Sequence, residues 1–81
     1  MTDANLANVD LEHSDFEGTI LFSANLDGAR LGHADLRGAN LEKAALHRAD
    51  LHGARLDRTN LCAADLRGAS LHGASLKDAQ S

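Results

Sequence analysis

Residues 34–53 read Ala34-Asp35-Leu36-Arg37-Gly38, Ala39-Asn40-Leu41-Glu42-Lys43, Ala44-Ala45-Leu46-His47-Arg48 and Ala49-Asp50-Leu51-His52-Gly53, four groups of five with Ala first and Leu third in each. The same spacing runs outward in both directions. Stepping by five from Leu6 to Leu76 meets fifteen residues, all Leu except Phe16. Two places before each Leu, a column of sixteen small residues contains twelve Ala together with Val9, Ser14, Thr19 and Thr59. We call the Leu column the centre and the small column minus two. None of the twenty charged residues falls in either; all lie at minus one, plus one or plus two.

A five-residue period suits neither regular element. Each step of five turns an α-helix by about 140° net, so the Leu side chains would spiral around the rod. A straight strand alternates its faces, so an odd step would point successive Leu in opposite directions. The pattern closes only if the chain turns a corner within every five residues. Plus two is the corner the residues indicate, because six of the seven glycines occupy it: Gly18, Gly28, Gly38, Gly53, Gly68 and Gly73. Minus one is Asp or Asn at nine of sixteen positions, and such side chains bond nearby turn backbone. Inward-facing centres follow at Leu26, Leu31, Leu36, Leu41, Leu46, Leu51, Leu56, Leu61, Leu66 and Leu71.

Groups such as Ala-Asp-Leu-Arg-Gly at 34–38 and 64–68, and Ala-Asp-Leu-His-Gly at 49–53, resemble the pentapeptide-repeat family, and the likeness extends over residues 4–80. The resemblance implies an all-β fold, a right-handed quadrilateral parallel β-helix with four pentapeptides per coil. On that reading residues 1–81 form a single solenoid domain of about four coils, a rod roughly 15–20 Å tall. Each coil would touch only its neighbours, and the terminal coils would leave open ends suited to stacking on another copy.

With twenty residues per coil, the outward side chains fall into vertical columns. Glu17, Arg37, Asp57 and Lys77 alternate in sign, as do Asp10, Arg30 and Asp50, and such neighbours support the chain's own fold. His13 falls under His33 at plus two and His52 under His72 at plus one. The two pairs stand in different columns with no Cys or carboxylate completing a ligand set, so the sequence indicates no metal site and no cofactor. The exception to a polar exterior is Ile20 and Phe22, which flank Leu21 and are expected to face solvent as a candidate interaction surface.

The bulk composition narrows the function. Eighty-one residues with two aromatics and no Pro make one small unit. Six acids and no Lys or Arg precede Arg30, whereas six acids and eight bases follow from it onward, giving a net −4. No basic stripe is present, which argues against direct nucleic-acid binding. The single Cys62 makes no internal disulfide, the first residues lack a signal-peptide pattern, and no apolar run is long enough to span a bilayer. A cytoplasmic protein without a membrane role is expected. Convex carboxylates without a cleft predict no enzyme and no catalytic residues. The expected function is therefore a structural or protein-interaction module that presents a rigid solenoid surface to a protein partner of unknown identity. Self-association is expected through the open solenoid ends or the Ile20/Phe22 patch. The family resemblance implies an alternative, a DNA-mimicking binder of a type II topoisomerase (gyrase) that protects from gyrase poisons. A minimal repeat unit without separate function is the third reading.

Overall fold

In the computed structural model, which describes residues 2–81, the residue before each centre pairs with the residue twenty positions further along. Twelve parallel bridges follow this one rule, from Asn5–Asn25 and Asp10–Arg30 to Asn60–Gln80. Twenty-residue stretches thus lie one above another as layers. Backbone hydrogen bonds repeat the rule. Asn25 N–H donates down to the Ala4 carbonyl at 2.8 Å, Leu26 N–H up to Ala45 at 2.7 Å and Gly28 N–H up to His47 at 2.8 Å. The fourth N–H closes a β-turn that joins one group to the next, as from Ala24 to the Leu21 carbonyl at 3.0 Å.

The corner lies at plus two throughout. All sixteen residues from Asp3 to Asp78 in that column have positive φ, between 55° at Arg48 and 73° at Gly73. A positive φ confined to the third residue of a hydrogen-bonded turn is the type II arrangement, which favours glycine there. Ten of the sixteen are not glycine, among them Lys43, Arg48 and Arg58, so the stacked backbone imposes this geometry on side chains that resist it.

The fifth N–H, at plus one, has no backbone partner and is served by a side chain. All nine Asp and Asn residues at minus one accept it, from Asn5 with Ala7 at 3.2 Å to Asp65 with Arg67 at 3.2 Å. Ala45 has no oxygen to offer, and there Asp27 in the layer below accepts the His47 N–H at 2.9 Å. Asp57 does the same for Lys77 at 3.3 Å, where minus one is Ser75. This accounts for the Asp and Asn preference, since an orphan N–H costs the energy of a lost hydrogen bond.

The expected parallel β-helix is corrected by these observations. No described residue belongs to a strand; every pairing is an isolated bridge, and no assembled sheet exists. The body measures 26 × 22 × 19 Å, a compact shape and not an elongated solenoid rod. The physical reason lies in the period itself. Two of every five residues form the turn, and of the other three only the residue before the centre is bridged to a neighbouring layer.

The interior is the Leu and Ala columns. Leu21, Leu26, Leu31, Leu36, Leu41, Leu46, Leu51 and Leu56 are at most 1% exposed, and Leu61 is buried. Towards the ends, Leu6, Leu11, Phe16, Leu66 and Leu71 are half-buried against this core, and Leu76 is exposed. Thr59 is the buried polar exception in the small column, and its hydroxyl donates to the Leu36 carbonyl at 2.8 Å.

Candidate interaction surface

Ile20 opens a bridge column that continues through Asn40, Asn60 and Gln80. Its side chain stands 56% exposed, and among the described residues it is the one large apolar side chain exposed outside the inward columns. Val9 and Leu76, also exposed, belong to the small and centre columns near the two ends. Phe22 is placed differently from the sequence expectation. It is half-buried, with the Lys43 ammonium 5.6 Å from its ring centroid. Lys43 lies one layer up at the corner and holds its charge over the π face of the ring. The contact surface is thus Ile20 beside a Phe22 roofed by Lys43. Cys62, free and half-buried, continues the column of Phe22 and Glu42.

The neighbouring faces are polar and largely self-paired. Arg30 reaches Asp10 at 2.8 Å, a vertical pair read directly from the twenty-residue register. Arg37 behaves otherwise. Its short contacts run sideways to Asp35, 2.7 Å from the guanidinium to Oδ2 and 2.8 Å from Nε to Oδ1, whereas Glu17 beneath stands at 3.6 Å. These hydrogen bonds lower the Asp35 carboxyl from its usual range to about 2 and raise the Arg37 guanidinium. Arg67 and Asp65 repeat the arrangement at 2.7 Å, and Asp65 also takes the His47 Nε2 contact at 2.7 Å. The Asp65 carboxyl is therefore held well below the ordinary carboxylate range, chiefly by Arg67.

Asp15, Glu17 and Asp35 bring carboxylate oxygens within 4.8 Å of one another, but the Arg37 guanidinium contacts two of them and takes the place a cation would occupy. Near His47, Arg48, Arg67 and Gly68 lies a shallow open recess of about 400 Å³. Arginines inserted among the acids break any continuous anionic stripe, so the DNA-mimicking alternative gains no support from this surface. The rigid solenoid surface expected from the sequence is likewise corrected. What the chain presents is a set of turn-rich faces joined by isolated bridges.

The sequence matches the family model for pentapeptide repeats over residues 1–38, 24–61 and 44–80. The chain belongs to the pentapeptide-repeat family. Among solved structures it is similar to alr5209, a pentapeptide-repeat protein from Nostoc PCC 7120. The two share 35% identity over 93% of this chain and 82% of that one, with a TM-score of 0.61. It is also similar to AT2G44920, a pentapeptide-repeat protein from the Arabidopsis thaliana thylakoid lumen. Here identity is 34% over 96% of this chain and 60% of that one, with a TM-score of 0.57. HetL from Nostoc sp. strain PCC 7120, a pentapeptide-repeat protein involved in heterocyst differentiation regulation, shares 34% identity over 98% of this chain. The chain spans 43% of HetL's length, at a TM-score of 0.48. No curated protein matches the chain. With its family, the chain is non-enzymatic. Among the described residues no helix is long and apolar enough to cross a membrane.

Proposed function

We propose that the chain is a non-catalytic protein-interaction module that engages a protein partner through the face carrying Ile20 and Phe22. The observation that carries this reading is the exposure of Ile20, 56%, in a column otherwise built of Asn40, Asn60 and Gln80. A large apolar side chain held in water by a regular backbone gains free energy on docking, at roughly 25 cal/mol per Å² covered. The half-buried Phe22 ring and the Lys43 ammonium beside it add an aromatic anchor and a charge that favour a partner with an apolar knob and an acidic rim. A second copy of the chain is one such partner, since its residues before Arg30 carry acids and no Lys or Arg. The unpaired Cys62 is compatible with a reducing, cytoplasmic setting, which we propose with it.

The experiment is solution mass by light scattering over a range of concentrations, for the wild type and an Ile20→Asp, Phe22→Asp double variant. Wild-type association that the double variant abolishes is the expected result. Equal association of both species points to the layer ends instead and rejects this face as the self-contact. If both remain monomeric, self-association is excluded. A photo-crosslinking residue at position 20, tested in cells, then decides the reading, and the absence of any protein adduct would count against it.

A further inference from the structure

Four of the five histidines, His13, His33, His52 and His72, lie on one face, and three of them touch. His13 and His33 stack with ring centroids 5.3 Å apart and planes 8° from parallel. His52 meets the His33 ring edge-on at 4.9 Å. Register alone puts His52 in the column of Glu12, Gly32 and His72, one place from the column of His33. The space beneath it explains the move. Gly32 has no side chain, and a Cβ there would lie 2.8 Å from His52 Nε2 and 3.0 Å from Nδ1. Gly53 clears the other side, where a Cβ would come within 2.6 Å of His33 Nδ1. Two glycines thus make the notch into which the imidazoles lean.

We propose that His13, His33 and His52 form a surface site for a borderline divalent transition-metal ion of the zinc or nickel class, with Asp50 as the residue that positions His52. Imidazole nitrogen is a favoured ligand for these ions, and three of them with open positions for water make a sufficient set. Asp50 Oδ1 lies 2.8 Å from His52 Nδ1. In the neutral ring this contact places the proton on Nδ1 and leaves the Nε2 lone pair free to bind. Zinc–nitrogen bonds near 2.0–2.1 Å bring ligating nitrogens to about 3.3 Å from one another. His13 and His33 stack in parallel and do not converge as they stand, but both are exposed, and the proposed site forms by rotation of these two side chains toward His52 Nε2. Asp10 and Glu12 add carboxylates to the same face, opposed by Arg30, which is already paired with Asp10.

The test is calorimetric titration of zinc chloride, and separately nickel chloride, into the 81-residue chain at pH 7.5. A Cys62→Ser background removes the competing thiol, magnesium chloride is the control, and thermal melts are run in parallel. The expected result is a single-site isotherm and a raised melting temperature with zinc or nickel and neither with magnesium. His33→Ala and His52→Ala are expected to abolish it, Asp50→Asn to weaken it about tenfold, and His72→Ala to leave it unchanged. Circular dichroism of each variant separates loss of binding from loss of fold. Absence of heat and of any melting shift overturns the proposal, as does binding that survives replacement of all three histidines by Ala.

Discussion

Arg37 and Asp35, two residues apart, share three hydrogen bonds: the Arg37 backbone N–H at 3.2 Å, Nε at 2.8 Å and a terminal nitrogen at 2.7 Å. One carboxylate therefore completes the turn backbone and clamps a guanidinium at once. Asp65 and Arg67 repeat the set, so Asp-x-Arg across the centre residue is a local staple of this fold.

That staple sets the acid sensitivity. The Asp35 carboxyl sits at about 2 in the folded chain, against about 3.9 unfolded. A depressed carboxyl stabilises the fold above its unfolded value, and the contribution fades as pH falls from about 4 to about 2. Arg37→Gln removes the main cause, so the stability gap between wild type and variant should narrow across that window. Urea denaturation at pH 6, 4 and 2.5 checks this; a gap that stays constant contradicts it.

Burial along the stack predicts a graded response to truncation. Leu41 is fully buried in the central layers, whereas Leu76 is 41% exposed near one end. Leu41→Ala should cost about 2–5 kcal/mol and Leu76→Ala under about 1 kcal/mol. Chemical denaturation of the two variants measures both; equal losses would mean that the end layer packs as tightly as the middle.

Gly38 and Gly53 share the same corner and differ in their surroundings. A Cβ at Gly38 would meet nothing within 4 Å, so Gly38→Ala bears only the strain of φ near 67°, about 1 kcal/mol. At Gly53 a Cβ would in addition strike the His33 ring. Gly53→Ala should destabilise further and displace His33, visible as shifted imidazole resonances in NMR spectra that Gly38→Ala leaves unchanged.

Thr59 tests the hydroxyl inside an otherwise apolar column. The Leu36 carbonyl it bonds also accepts the Ala39 N–H at 3.0 Å, so removing the hydroxyl orphans nothing. Thr59→Val should therefore cost no more than about 1 kcal/mol by thermal melting. A larger loss would show that the hydroxyl holds the turn itself.

Much of this arrangement is legible because each column carries one kind of chemistry. Leu at the centre and Ala at minus two mark the interior, glycine marks the corner, and Asp or Asn at minus one marks the side-chain bond to the turn. The missing strands were less visible. Leu36 and Ala34 point inward whether their neighbours join a continuous sheet or meet through single bridges, so inward columns alone do not distinguish the two. Lateral contacts were also hidden, because a vertical register describes which residues stack and not which way a long side chain lies. Arg37 thus turns to Asp35 in preference to Glu17, Lys43 crosses to Phe22, and His52 leans over Gly32 to His33. The signal for the last was present in the missing side chain of Gly32, the one glycine outside the corner column.

The most direct test of the layered, turn-and-bridge arrangement is amide hydrogen exchange resolved by residue. Within residues 21–60, the minus-one, centre, plus-two and minus-two amides should be protected in every group, because each donates to a backbone carbonyl. The plus-one amides, bonded to side chains or to nothing, should exchange faster, giving one weak point in every five residues. Protection without that period would contradict the account, as would protection limited to a few continuous runs.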